Sequence, residues 1–345
     1  MRFTSILLAF CVCLINNLHA QDKSKLQIAS LAGSLLVIPN DAGIESELPV
    51  YRGSPVIYDN DDHRDVYTDE YLLALASIGE IDFKGIITTY SPREYPEFVK
   101  GREMIMDLAT TSGLQNLPEL FSGTSRKLVR PEANRIEDTE PLEIDGSRFI
   151  VEIARQCSYS RPLVIITGGQ LTTVANAYLL DPSIADKIVV MGVFGAEAID
   201  YNAGLDAWAW TIILARFRVV AIPIGPPGNR GVVYMKPPEV PKERIQTELN
   251  QDIPFFKWMY EKEHPTNWLP AESDYDGHPA ILITRPDYVT QWTRYRFDGV
   301  NQTGRPILTE DITGTIMQAE DAVQEIATDE FWRVMHALSE QIDND

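Results

Sequence analysis

The stretch Val56-Ile57-Tyr58-Asp59-Asn60-Asp61-Asp62-His63-Arg64-Asp65-Val66-Tyr67-Thr68-Asp69-Glu70 decides how this chain reads. An apolar, β-branched run enters it, and the helical run Tyr71-Leu72-Leu73-Ala74-Leu75-Ala76 leaves it. Between them stand six carboxylates. Like charges this close do not all ionise cheaply unless a cation or solvent screens them. The stretch therefore reads first as a hard-cation site and second as a solvated loop.

Working outward, residues 54–58 predict a strand and 69–78 a helix, with Thr68 placed to cap it and Gly79 to end it. Residues 83–89 predict a second strand, which completes a β-α-β unit. A helix follows over 96–111, with Phe98, Arg102, Ile105 and Ala109 near one face. Residues 122–147 are charged and turn-rich and read as a surface excursion. Further on, 149–157 reads as helix, 162–167 as a buried strand ending in Gly168-Gly169, 171–180 as helix, and 187–191 and 219–224 as strands. Residues 225–241, rich in proline and glycine, read as a loop or lid. Helices dominate to about residue 260, the apolar run Ala280-Ile281-Leu282-Ile283 follows an acidic turn, and a C-terminal helix spans 329–342. This alternation implies an α/β fold: an open, mostly parallel sheet with helices on both faces and a Rossmann-like core. Residues 51–345 read as one domain, preceded by a lead-in over 21–50, since no repeat or composition break divides them.

The chain has 345 residues and a formal net charge of −20. Without clustered Lys and Arg it lacks what phosphate neutralisation requires, which argues against nucleic acid and anionic membrane as partners. Residues 1–20 read as a secretory signal: Arg2 supplies charge, residues 6–15 a short apolar run, and Leu18-His19-Ala20 a cleavage site before Gln21. A retained anchor is the alternative; otherwise no stretch reaches membrane-spanning length. Cys11 and Cys13 fall in the signal, so the mature chain keeps Cys157 alone and forms no internal disulfide. The expectation is a secreted or periplasmic enzyme. Asn301-Gln302-Thr303 is a glycosylation sequon, relevant only in a eukaryotic secretory route.

In open parallel sheets, ligands bind beyond the carboxyl ends of the strands. Three predicted strand ends carry polar or glycine-rich features: Asp59/Asp61/Asp69/Glu70; Thr167-Gly168-Gly169-Gln170-Leu171-Thr172-Thr173; and Gly192-Val193-Phe194-Gly195 running on to Asp200-Tyr201-Asn202-Ala203-Gly204-Leu205-Asp206. A fourth segment, Glu272-Ser273-Asp274-Tyr275-Asp276-Gly277-His278, precedes an apolar run.

These residues resemble the inosine-uridine preferring nucleoside hydrolase family. Its strand into Asp-x-Asp-Pro-Gly-x-Asp-Asp and an Ala/Leu-rich helix is similar to Asp59-Asn60-Asp61, Asp69-Glu70 and Leu72-Leu73-Ala74-Leu75. Gly85-Ile86-Ile87-Thr88-Thr89 also resembles the family. Its Gly-Pro-Leu-Thr-Asn helix start resembles Gly169-Gln170-Leu171-Thr172-Thr173, and its Glu-Phe-Asn-x-x-x-Asp-Pro segment resembles Asp200-Tyr201-Asn202-Ala203-Gly204-Leu205-Asp206-Ala207. The similarity runs over residues 54–290.

The resemblance implies a Ca²⁺-dependent hydrolase of the N-glycosidic bond of ribonucleosides or related ribosyl compounds. By motif position, Asp61, Glu70, the main-chain carbonyl of Thr172 and Asp276 would bind calcium. Asp69 and Asn202, helped by Asp200, would hold ribose hydroxyls. Asp61 would also be the base, since calcium acidifies water less than zinc does. The expected partner is a small-molecule substrate, and a homo-oligomer stays open. The chain differs from the family pattern in four places. The turn between Asp61 and Asp69 is longer; Glu70 replaces Asp; Ser91-Pro92-Arg93 replaces a ribose-binding Gly-Asn; and Tyr275 stands where the family often has His, with His278 beyond Asp276.

Two other functions fit the same residues. One is a relative that keeps the fold and binds a sugar or ribosyl ligand without turnover. The other is a haloacid-dehalogenase-like, Mg²⁺-dependent phosphatase with Asp59 as nucleophile and Asp61 as acid, which needs a later strand-end Lys that Gly169-Gln170 does not supply. His63 and His278 read as solvated, Trp208 and Trp210 as core, and Cys157 as a small buried hydrophobe.

Overall fold

The computed structural model describes residues 35–39, 45–51, 53–64, 67–89, 95–197, 199–223, 236–262 and 276–344. The expected signal lies outside them. Within the expected lead-in, β1 (Leu35–Pro39) and β2 (Glu45–Tyr51) pair as a separate antiparallel two-stranded sheet.

The main sheet begins with β3 (Pro55–Asn60), α1 (Thr68–Ser77), β4 (Asp82–Thr88), α2 (Tyr95–Thr111) and β5 (Glu119–Ser122). It continues through α3 (Asp145–Arg155), β6 (Leu163–Thr167), α4 (Thr172–Leu180), β7 (Ile188–Gly192), α5 (Tyr201–Leu205), α6 (Ala207–Arg216) and β8 (Arg218–Ala221). After α7 (Lys242–Glu248), α8 (Pro254–Glu261) and α9 (Gly277–Thr284) come β9 (Val289–Val300), β10 (Pro306–Glu310), β11 (Ile316–Ala322) and α10 (Gln324–Asn344).

The nine strands are ordered β10-β9-β11-β8-β7-β6-β3-β4-β5. From β11 to β5 every neighbouring pair is parallel, whereas β9 joins β11, and β10 joins β9, in antiparallel fashion. The expected mostly parallel α/β sheet is therefore present, with an antiparallel extension that the sequence did not announce. From β3 the chain winds outward through β4 to β5. It then returns to the other side of β3 as β6 and winds the opposite way. The order reverses between β3 and β6, which is where such a sheet opens a crevice.

The two-residue period of the central strands builds two cores. Val56, Tyr58, Val164, Ile166, Val189 and Met191 face one side, packed with α1, α9 and α10. Ile57, Ile165 and Val190 face the other, packed with α3, α4 and α6. Strands buried on both faces read as near-continuous apolar runs, and β6 and β7 are buried throughout. Each fully buried aliphatic side chain contributes ~1.5–3 kcal/mol. Tyr71 stacks on Phe331 of α10 at 5.6 Å, which pins the first helix of the sheet to the last helix of the chain.

Several local expectations shift. Thr68 does not cap α1 but lies inside it; Tyr67 precedes the helix and makes no side-chain cap bond. Gly79 does close the helix, at φ +75°, a conformation that costs glycine little. The apolar run 280–283 is helical, within α9. The excursion 122–147 is more than surface, because Leu128, Ile136 and Ile144 are buried. Trp208 and Trp210 are core, as expected, and Cys157 is half-buried. Residues 224–235, most of the expected lid, lie outside the described residues. Among those described, no helix is long and apolar enough to cross a membrane.

Candidate active site at the carboxyl ends of β3 and β6

The strand β3 delivers Asp59, Asn60 and Asp61 to the point where the sheet order reverses. Alternation splits them. Asp59 shares a face with its β6 neighbour Thr167. Asn60 turns to the opposite face, where its amide donates to the Tyr58 hydroxyl and, at 3.3 Å, to Asp276 Oδ2. The Asn60 side-chain oxygen accepts the Asp61 backbone N–H at 2.7 Å. Asp276 stands at the start of α9, but its carboxylate does not cap that helix.

Gly168 and Gly169 at the end of β6 make room for this convergence. A Cβ on Gly168 would fall 2.6 Å from Asp276 Oδ2 and 2.8 Å from Asn60 Oδ1, and one on Gly169 would fall 3.0 Å from the Asp61 nitrogen. Asp61, Asp276 and the Gly-Gly turn therefore share one small region.

Asp61 is 8% exposed. Its Oδ1 accepts the Asp62 backbone N–H at 2.7 Å. Burial pushes its carboxyl up to about 6, against the opposing pull of that N–H and of Arg102. Asp59 is more deeply buried, and neither of its oxygens has a hydrogen-bond partner among the described residues. Desolvation holds it well above the usual carboxylate range.

Asp69 and Glu70, in the first turn of α1, each meet a buried cation. Arg102 of α2 donates to Asp69 Oδ1 at 3.3 Å and Oδ2 at 3.5 Å. Its Nη1 also reaches the main-chain oxygens of Asp61 (2.7 Å) and Asn60 (3.2 Å) and Thr88 Oγ1 (3.4 Å). One guanidinium thus fixes the backbone under Asp61 and the side chain of Asp69 together. Lys262, just after α8, puts its ammonium 2.9 and 3.0 Å from the two oxygens of Glu70. Trp258 Nε1 donates to the same carboxylate at 3.0 Å.

The long turn after Asp61 is docked rather than solvated over its described part. His63 is buried, lies parallel to Trp258 at 6.4 Å and meets Phe98 edge-on at 6.3 Å. Burial lowers its imidazole to about 4. Asp62 pairs with Arg64 at 3.0 Å. His278 is not solvated either. It is fully buried with Nδ1 on the Tyr288 hydroxyl, and burial alone lowers it to about 3. The expectation of wetted histidines fails because neighbouring helices cover both turns.

The remaining expected residues have structural partners. Thr172 opens α4, and its hydroxyl donates to Asp206 Oδ2 at 2.6 Å. Asp206 also accepts from the Leu128, Trp208 and Ala209 amides, tying the 122–147 segment to α6. Asn202 donates to the Val193 carbonyl at 2.9 Å. Asp200 caps α5 through Ala203 N (3.1 Å) and accepts Gly195 N (2.7 Å), and burial raises it to about 6. Asp274, Tyr275 and residues 91–94 lie outside the described residues.

The structure brings Asp61 and Asp276 together and sets Asp69 and Glu70 against cations. Calcium needs about six to eight oxygen ligands. Both oxygens of Glu70 are within hydrogen-bond distance of an ammonium, so this carboxylate does not fit the expected calcium set. Among the described residues no group of three or more His, Cys, Asp or Glu is arranged to hold a metal ion.

The architecture is that of the nucleoside hydrolases. An inosine-guanosine nucleoside hydrolase superposes with a TM-score of 0.56 at 13% identity, covering 83% of this chain and 99% of its own. An inosine-uridine preferring nucleoside hydrolase from Bacillus anthracis gives 0.54 at 16%, covering 82% and 99%. A purine-preferring ribonucleoside hydrolase from Gardnerella vaginalis gives 0.57 at 17%, covering 84% and 100%. No protein-family model and no curated protein matches the sequence.

Proposed function

We propose that this protein hydrolyses the N-glycosidic bond of a ribonucleoside or related ribosyl compound, releasing base and sugar. The reading is supported above all by Asp61: a buried carboxylate at the reversal of strand order, with no ion pair among the described residues, on a fold shared with proteins named for nucleoside hydrolysis. A general base works best when its pKa lies near the working pH, and burial moves this one toward it.

In the reaction, water attacks the anomeric carbon as the carbon–nitrogen bond breaks, through an oxocarbenium-like state. Asp61 takes one proton of that water and releases it to solvent afterwards, while the departing base takes one up from solvent, so the protons balance. His278 does not protonate the base, since its ring is neutral at physiological pH and engaged with Tyr288. Asp276, beside Asn60 and Gly168, adds negative charge near the developing cation. Asp69 keeps its assignment to the sugar hydroxyls through an orientation set by Arg102. Asn202 and Asp200 join it at the sugar, their side chains positioned by bonds to the Val193 carbonyl and to the Gly195 and Ala203 amides. Export to a secreted or periplasmic location remains part of the proposal.

The test is a panel of purine and pyrimidine nucleosides with free ribose as the readout. Ribose release that Asp61→Ala abolishes, with the fold intact, supports the hydrolase. Saturable nucleoside binding without release supports the non-catalytic relative. Phosphate release from phosphomonoesters with no ribose release overturns the proposal in favour of a phosphatase.

A further inference from the structure

We infer that Lys262 is the resident cation of this acidic pocket, occupying the carboxylate that calcium would need, and that Glu70 binds no divalent ion. The inference concerns ion binding and is independent of whether the pocket turns over a nucleoside.

Neither the Lys262 nor the Glu70 side chain has any exposed surface. The ammonium is 2.9 and 3.0 Å from the two carboxylate oxygens, so both are engaged by one cation. It also lies 4.4 Å from the Tyr67 ring centre, where the negative π face attracts it further. Its position is fixed at the backbone. The Lys262 N–H closes α8 on the Trp258 carbonyl at 2.9 Å, and the Lys262 carbonyl accepts the Lys242 ammonium at 2.9 Å. Trp258, one turn earlier, binds Glu70 from the same helix. The helix therefore presents an indole N–H and an ammonium to one carboxylate.

Two sequence features agree with this arrangement. Position 70 is Glu, and the extra methylene lets the carboxylate reach toward α8. The lengthened turn lays His63 on the Trp258 ring, buttressing the side chain that holds Glu70. Beside it, Asp69 is neutralised by Arg102, whose side chain is 1% exposed. A divalent ion arriving at Glu70 would have to expel a buried ammonium, leaving that charge without its partner, which is strongly unfavourable.

The experiment uses the full-length chain. Calcium and magnesium are titrated while thermal unfolding is followed, with a chelator control, and the metal content is measured by mass spectrometry after gel filtration in calcium. A specifically bound ion stabilises the folded state by mass action. The expected result is substoichiometric metal and a Tm unmoved by chelator or by millimolar calcium. Lys262→Met should lower the Tm, and Glu70→Gln added to that variant should restore much of the loss. One calcium per chain that raises the wild-type Tm, with the rise abolished by Glu70→Gln, overturns the inference. If Lys262→Met does not fold, the wild-type titration still decides.

Discussion

Asp61→Asn separates the cost of the site from its use. The folded chain raises this carboxyl from its usual 3.8 to about 6. At ~1.36 kcal/mol per pH unit, holding it ionised in the folded state at neutral pH costs about 3 kcal/mol. A carboxyl with a raised folded-state pKa contributes stability fully below the unfolded value and loses it as the pH rises through about 6. Asparagine keeps the shape and still accepts the Asp62 N–H, but it carries no charge at any pH. The variant should therefore be more stable than wild type at pH 7, by up to about 3 kcal/mol, with the gap closing as the pH falls toward 4. Urea denaturation of both proteins from pH 4 to 8 measures this. The same substitution removes the base and should lower turnover by roughly 10²–10⁴-fold. Wild-type kcat/KM should fall on the acid side with a limb near pH 6, as Asp61 takes up its proton. A variant equal to or less stable than wild type at pH 7, or a gap that does not change with pH, would refute the claim that Asp61 is ionised against its surroundings.

Gly168→Ala should close the site without touching a carboxylate, because its methyl would fall 2.6 Å from Asp276 Oδ2. The expected cost is ~1–3 kcal/mol of stability from overpacking together with weaker nucleoside binding, read by urea midpoint and calorimetry. Arg102→Met strips the cation from Asp69 and from the carbonyls of Asn60 and Asp61. Leaving a buried charge unpaired costs ~3–5 kcal/mol; adding Asp69→Asn should return part of this in a double-mutant cycle, and strict additivity would deny the pairing.

How much was legible in the sequence follows from which interactions are local. Strand and helix alternation from 54 to 221 was readable because β6 and β7 are apolar runs bounded by turns. The hairpin of β9 and β10 was not. Its strands, Val289–Val300 and Pro306–Glu310, are largely half-exposed and rich in Arg and Thr, so no apolar period marks them. Asp61 was found because a strand led straight into it. Arg102 showed as a helix-face position between Phe98 and Ile105, but its partner Asp69 lies 33 residues away. Lys262 was missed altogether. It sits in a polar stretch after Trp258, and its partner is 192 residues distant. Asp206 stands out in the sequence only as part of a motif, and the structure makes it the hub of four hydrogen bonds. Long-range pairing of charges leaves no local pattern in a single chain.

That pairing also resolves the difficulty posed by six carboxylates in one turn, of which five are described. Asp62 has Arg64, Asp69 has Arg102 and Glu70 has Lys262, each within 3.5 Å. Asp59 and Asp61 have no ion pair among the described residues, and burial pushes both toward the protonated form. The protein thus gives the acids on α1 direct ion-pair partners and leaves those at the tip of β3 without one, under only the longer-range pull of Arg102. A purely structural acidic turn gains nothing from buried acids left without an ion pair, because each costs stability at neutral pH. A catalytic base gains a pKa near the working range from the same burial. Asp59 supplies an internal control. It lies on the opposite face of β3 from Asn60, whose amide reaches Asp276, and neither of its own oxygens has a hydrogen-bond partner among the described residues. Asp59→Asn should therefore raise stability at neutral pH, as Asp61→Asn does, while leaving turnover near the wild-type level. Equal loss of turnover in both variants would show that charge in the region, rather than the placement of Asp61, carries the chemistry.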